Sequence, residues 1–314
     1  MKMSKFLAAV LAVTIISGGA DPLTTEMPEL SMTTVAAENK TGTLGNDITW
    51  ILDSEGTLTI NGTGKMKNFS QTKSAFDDDV GNLKNNIKNV VISDGITNIG
   101  NYLFRNCQNI KTVIIPDSVQ IIGSGAFARC LSLESITIPD SVMEIGDHAF
   151  STCSKLESID MPDKLTIIAE RTFESCSNLK SINIPDSVQI IGSGAFAHCL
   201  SLESITIPDS VTELGASSFY LCSKLKSISF PDSISIIPVG TFGGCYSIID
   251  VTLPQNITGI CSGAFANCNS LESISILNPS CEFFDSDRTI SNVENYYSTS
   301  PAEYSGVIRG YDNS

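Results

Sequence analysis

A cysteine falls every 23 residues from Cys107 to Cys268, through Cys130, Cys153, Cys176, Cys199, Cys222 and Cys245. A phenylalanine keeps the same interval three residues earlier, from Phe104 to Phe265. A period of this length marks a solenoid, because each copy is one supersecondary unit that buries its apolar face only against its neighbours. For such a chain the functional question is which surfaces bind rather than which residues react.

Residues 133–153 read L-E-S-I-T-I-P-D-S-V-M-E-I-G-D-H-A-F-S-T-C, with apolar positions at Leu133, Ile136, Ile138, Val142, Ile145, Ala149, Phe150 and Cys153. The β-branched alternation around Ile136, Thr137 and Ile138 predicts a short strand with one buried face, ended by Pro139. Proline recurs there at Pro116, Pro162, Pro185, Pro208, Pro231 and Pro254, usually followed by Asp-Ser. Proline presets the dihedral of a turn's second residue and Asp or Ser bonds back to the local backbone, so Pro-Asp-Ser predicts a turn. Gly100, Gly123, Gly146, Gly192 and Gly215 mark a second bend. A lone coil buries too little to offset the ordering of its own backbone, so stability belongs to the stack, joined by a strand ladder.

These residues resemble the BspA-type leucine-rich repeat, L-x-x-I-x-I-P-x-x-[VI]-x-x-I-G-x-x-A-F-x-x-C-x-x-L, over about two thirds of the chain. Ala169 and Pro238 replace the glycine, and Ile110 and Ile248 the leucine, which predicts locally altered bends. The resemblance implies an α/β-type, leucine-rich-repeat-like solenoid: a right-handed, β-rich stack of about eight 23-residue coils with an N-terminal β-hairpin cap. Residues 115–142 return as residues 184–211 with Arg129 becoming His198 as the one change, a duplication that solenoids tolerate because only neighbour contacts must match.

The ends differ from the array. Residues 1–20 carry Lys2 and Lys5, an apolar run over 6–16 and a small-residue end, the pattern of a secretory signal peptide. That run is shorter than the roughly 20 residues a bilayer span needs, so no membrane span is expected in the mature chain. Residues 21–41 read as a linker and 42–86 as the N-terminal cap, where 49–52 and 57–60 flank a turn at 53–56 in a hairpin pattern. The solenoid is placed at 87–276. Residues 277–314, with Phe283, Phe284, Tyr296, Tyr297, Tyr304, Ile308 and Tyr311, resemble the start of a C-terminal cap, read as cut short at Ser314. With 34 acidic against 19 basic residues the net charge is −15, which disfavours nucleic acid as a partner.

Equivalent cysteines on stacked coils predict a ladder of free buried thiols, since buried Cys packs as a small hydrophobe. Cys261 and Cys281 lie off the ladder and are the pair expected to bond. No cysteine or histidine spacing suits tetrahedral zinc, and no metal or cofactor is expected. The row Asp117, Asp140, Asp163, Asp186, Asp209 and Asp232 reads as turn residues capping local backbone rather than a calcium site. Asp77, Asp78 and Asp79 read as a solvated charge run. His148 and His198 belong to no nucleophile constellation, so no enzyme is expected and no catalytic residue is assigned.

Two surfaces remain as candidates. Outward strand positions, among them Thr137, Asp160, Asn183 and Thr206, form a polar ladder on one open face. Positions flanking the cysteines, among them Arg129, Leu131, Leu200, Tyr220, Leu221 and Tyr246, are more irregular and offer Tyr and Leu for an adhesive patch. The family resemblance implies a non-catalytic, secreted or cell-surface module that binds extracellular or cell-surface proteins. The alternative is the recognition or spacer part of a larger secreted enzyme, a peptidase or a component of a glycan-degrading assembly.

Overall fold

The computed structural model describes residues 39–77 and 83–284 and the backbone of the strand Val307–Arg309. Contacts separate Met1–Ala36 from Ala37–Ser314, and every described residue lies in the second unit. The expected signal peptide, most of the linker, Asp78, Asp79 and most of the aromatic tail lie outside the described residues.

The coils open with a short strand, except at residues 181–183. Ser135–Thr137, Ser158–Asp160 and Ser204–Thr206 expose their first and third residues and bury the isoleucine between. Ser158 stands against Ser135 and Ile159 against Ile136 in parallel register, so equivalent repeat positions face each other. A turn follows in which proline is the first residue, not the second: the Pro139 carbonyl accepts the Val142 N–H at 3.0 Å, and Pro185 and Pro208 repeat this with Val188 and Val211 at 3.0 Å. A two-residue strand comes next, such as Glu144–Ile145, in register with Ile121–Ile122 of the preceding coil.

The arm from the second bend to the cysteine is where the α/β expectation fails. Among the described residues the only helix is Leu83–Asn86, outside the repeats. Two positions in every arm are left-handed: two residues before each phenylalanine, as in Tyr102, His148, Arg171 and Ser217, and two after it, as in Asn106, Arg129, Thr152, Ser175, His198 and Leu221, with φ between 51° and 64°. A helix returns its N–H groups to its own chain, whereas here alternate N–H groups leave the coil. Those of Tyr102, Phe104 and Asn106 donate to the carbonyls of Ser124, Ala126 and Ala128 of the next coil, and the same three bonds recur at each interface as far as Gly240, Phe242 and Gly244, at 2.7–3.0 Å. The strand ladders are less regular. They break into separate sheets, and residues 181–183 enter none. The arm, not the strand face, carries the unbroken hydrogen bonding between coils.

Within the arm the phenylalanines are fully buried and stack at 5.3–5.7 Å, within 4–14° of parallel. Phe76, outside the repeat, adds a ring 5.9 Å from Phe104, and Trp50 closes this end edge-on at 5.5 Å. The eight ladder cysteines are buried and free. Each thiol from Cys130 on donates to the phenylalanine carbonyl of the preceding coil, as Cys153 does to Phe127 at 3.2 Å.

Cys261 and Cys281 are free as well, which corrects the expected bond. Gly259 pairs with Glu282 and Ile260 with Phe283, so Cys261 faces Phe284, three residues along the chain from Cys281. Three residues span about 10 Å of strand, beyond the roughly 7 Å Cα limit for a disulfide.

The altered bends have a concrete form. A Cβ on Gly146 would come within 2.6 Å of the Ser124 nitrogen, and one on Gly215 within 2.2 Å of the Ser193 nitrogen. The N–H at this position reaches the preceding coil, Gly146 to Ile122 at 2.9 Å and Gly192 to Ile168 at 2.8 Å, and Cys261, at the same repeat position, makes the equivalent bond to Ile237 at 2.9 Å. At Ala169 and Pro238 no such bond forms among the described residues, and the ladder of two-residue strands divides there, between Glu144–Ile145 and Ile167–Ile168 and between Glu213–Leu214 and Ile236–Ile237. Thr172 and Thr241, three residues on, turn their hydroxyls to the Ala169 and Pro238 carbonyls at 2.9 and 2.8 Å.

Before the first coil, β1 (Lys40–Thr43), β2 (Ile48–Leu52) and β3 (Thr57–Gly62) pair antiparallel. β3 then pairs parallel with Asn89–Ile92, joining this sheet to the array. Asp53 Oδ1 accepts the N–H groups of Glu55 and Thr57 at 3.0 and 2.8 Å, fixing the turn between β2 and β3.

Candidate functional site

Leu200, Tyr220, Leu221 and Tyr246 lie on three consecutive coils, with Leu200 and Tyr246 at the same repeat position two coils, about 10 Å, apart. The coil after Tyr220 and Leu221 carries Gly243 and Gly244, and the two side chains fill the space above them: a Cβ on Gly243 would meet the Tyr220 ring at 3.1 Å, and one on Gly244 would meet Leu221 at 2.4 Å. Tyr220 also meets the His198 ring edge-on at 5.7 Å. Leu200 and Tyr246 flank this seat at 42% and 40% exposure. These four side chains make an apolar and aromatic ridge over three coils, and the glycine pair one 23-residue period after Tyr220 and Leu221 is the signal in the sequence for its seat. Arg129 is exposed and Leu131 half-buried, but they stand three coils before their duplicates His198 and Leu200. At about 4.8 Å per coil, roughly 14 Å separates them from the ridge.

Thr137, Asp160, Asn183 and Thr206 are exposed at equivalent places on four consecutive coils. Beside them run the cross-coil ion pairs Lys180–Glu157 at 2.7 Å and Lys226–Glu203 at 2.8 Å. This face is polar and shallow. Its exposed apolar positions include Ile114, 61% exposed, towards the N-terminal end, and Ile249, 47% exposed, in the row of those ion pairs.

The turn aspartates do not cap the local backbone. All are exposed, and the neighbouring serine makes the bond instead, across coils: Ser118 to the Ile96 carbonyl, Ser141 to Val119 and Ser210 to Val188 at 2.7–2.8 Å. Asp77, read as part of a charge run, pairs with Lys84 and accepts the Ser74 N–H at 2.8 Å. Its burial opposes ionisation, but the Lys84 and Ser74 hydrogen bonds win and hold its carboxyl below the ordinary value. His148 Nδ1 lies 3.8 Å from Glu174, which also faces Arg171 at 3.7 Å. Burial pushes the thiols of Cys153, Cys222 and Cys268 up to about 12, so they are poor nucleophiles near neutral pH. Among the described residues no three His, Cys, Asp or Glu side chains converge as metal ligands, and no helix is long and apolar enough to cross a membrane.

A family model described as the BspA type leucine rich repeat region matches in six copies, over residues 81–199 and 166–287. Among solved structures the chain is similar to a leucine-rich repeat protein from Bacteroides ovatus, with 31% identity, a TM-score of 0.55, and coverage of 77% of this chain and 55% of that one. It thus spans about half the length of that relative. A leucine rich cell surface protein from Faecalibacterium prausnitzii matches at 25% identity over 77% of this chain and 89% of that one, with a TM-score of 0.38. A leucine rich repeat protein from T. pallidum matches at 26% identity over 73% and 82%, with a TM-score of 0.44. Comparison with curated proteins gives no match.

Proposed function

The chain belongs to the BspA-type leucine-rich repeat family, and from that premise we propose that it is a non-catalytic, exported adhesion module that holds a protein partner at the ridge of Leu200, Tyr220, Leu221 and Tyr246. The observation that carries this reading is the seating of Tyr220 and Leu221 on Gly243 and Gly244. A ring fixed against backbone loses little freedom on binding, which is why rigid aromatic anchors dominate protein interfaces. Export rests on the leader pattern of residues 1–20. The antiparallel segment β1 to β3 acts as the N-terminal cap of the first coil, which would otherwise present an open sheet edge, and residues 277–314 are the proposed C-terminal cap.

Beads carrying the array are to be tested for retention on immobilised extracellular and cell-surface proteins. Leu200→Ser and Tyr246→Ser remove the two most exposed members of the ridge without emptying the seat on the glycines. Retention should fall at least about tenfold in the double variant, as expected when central apolar contacts are lost. Retention equal to that of the parent chain would remove the ridge from the interface.

A further inference from the structure

The lateral face built by the two-residue strands carries a second surface of different chemistry. Its outward row runs Ile121, Glu144, Ile167, Ile190, Glu213 and Ile236 at equivalent positions of successive coils. Ile167 is 45% and Ile236 44% exposed, and Met143 and Val239 beside them reach 53% and 54%. Along one flank stand the turn aspartates, beginning with Asp94 and continuing through Asp117, Asp140, Asp163, Asp186, Asp209 and Asp232, one on each coil and all exposed. None of them takes part in an ion pair among the described residues. Asp147 and Glu170, both exposed, lie on the other flank. The neighbouring cations are Lys164, in the turn beside Asp163, and Arg171, which already faces Glu170 and Glu174 at 3.7 Å.

An isoleucine row open to water, interrupted by Glu144 and Glu213 and bordered along one flank by the line of aspartates, is complementary to a segment that carries apolar and cationic side chains together along one side. The spacing favours a helix laid along the stack, since a helical turn rises about 5.4 Å and a coil about 4.8 Å. Each turn of such a helix then meets one coil, with its apolar stripe on the isoleucines and its Lys or Arg side chains over the aspartates. We infer that this lateral face docks a cationic amphipathic helical segment of a partner protein. The inference uses none of the ridge residues, so either surface fails without the other.

The test is calorimetric titration of the full chain with a synthetic peptide of about 18 residues, five helical turns, with leucine at every third and fourth position and lysine elsewhere. Oligolysine of equal length is the control for simple attraction to a protein of net charge −15. Binding of the leucine-lysine peptide is expected, with oligolysine at least about tenfold weaker. The triple variant Ile167→Ser, Ile190→Ser, Ile236→Ser should lose at least about tenfold in affinity, and Ile236→Ser alone a smaller part. Asp163→Asn, Asp186→Asn, Asp209→Asn should weaken binding and flatten its dependence on salt. Circular dichroism and the melting temperature confirm that each variant is folded, Ile190 being half-buried and the other substituted positions exposed. Equal binding of oligolysine, unchanged affinity in the isoleucine variants, or loss of peptide binding in Tyr246→Ser would each overturn the proposal. So would a parent chain that sediments as a dimer and becomes monomeric in the triple variant, since the face would then belong to a second copy.

Discussion

Phe173 has a phenyl ring above it at 5.7 Å and another below at 5.5 Å, so truncating it leaves a hole between two parallel rings held in place by their own coils. Phe173→Ala should therefore sit near the upper range for such changes, about 3–5 kcal/mol. Urea denaturation measures it, and a loss below about 1 kcal/mol would mean that the row is not close-packed. The left-handed residues run the other way. Thr152 has φ 62°, a conformation in which a β-branched side chain crowds its own backbone, at about 1–2 kcal/mol for an L-residue. Glycine removes that strain but loses more chain entropy on folding, about 0.5–1 kcal/mol. Thr152→Gly should then raise stability by roughly 0.5–1 kcal/mol, seen as a small rise in melting temperature; a fall would place the strain elsewhere. The phenylalanine and cysteine rows were legible in the sequence because an apolar side chain repeated without slip has nowhere to go but the core. The left-handed pairs were not, because Tyr102, His148, Arg171 and Ser217 share no chemistry. The available trace was glycine alternating with them at Gly125, Gly194, Gly240 and Gly263.

At the scale of the element, the lateral ladder tests how closely coils must approach. Gly146→Ala places a methyl group within 2.6 Å of the Ser124 nitrogen, and backbone cannot swing aside as a side chain does. Relief requires a local shift of the bend, which lengthens the bond from Gly146 N–H to the Ile122 carbonyl, now 2.9 Å, or re-shapes it as at Cys261, which keeps the equivalent bond to Ile237 at 2.9 Å. A cost of about 1–3 kcal/mol is expected, with faster hydrogen exchange at residue 146 while the arm amides of Phe127 and Arg129 stay protected. Equal loosening of the arm would mean that ladder and arm form one cooperative unit. The strand, the proline turn and the glycine bend were each visible in the repeat, but the arm was assigned to an α/β class by resemblance. Apolar spacing at Ala149, Phe150 and Cys153 suits a helix as well as a row of turns, and only the backbone dihedrals distinguish them. On the candidate surfaces, the polar strand row was legible from alternation. All four ridge residues were named from the sequence, but the seat of Tyr220 and Leu221 was not, because it is formed by Gly243 and Gly244 one period further along the chain rather than by their own neighbours.

At the scale of the whole molecule, the thiol row makes stability depend on pH in one direction. Burial holds Cys153, Cys222 and Cys268 at about 12 and lifts Cys130, Cys176, Cys199 and Cys245 well above the ordinary thiol value, whereas an unfolded thiol titrates near about 8.5. Below that pH both states keep their protons and the contribution is fully present. Above it the unfolded chain ionises and the array does not. Each thiol then lowers stability by up to about 1.4 kcal/mol per pH unit, until pH passes the folded value. Because the thiols lie in one stack, their losses add within a single unfolding transition, and the urea midpoint should fall steeply between about pH 8.5 and 10. Other groups titrate in the same window, so the informative quantity is the change in slope when thiols are removed. Cys153→Ala with Cys176→Ala should make the fall shallower by about two protons, and the carbonyls of Phe127 and Phe150 keep their bonds from the Cys130 and Cys153 N–H groups at 3.1 Å. At pH 7.5 the same burial should leave the ladder thiols unreactive to a thiol reagent in the folded chain, while the half-buried Cys261 and Cys281 react first. Eight fast thiols, or an alkaline slope indifferent to the double substitution, would mean that the sulfur row is open to water.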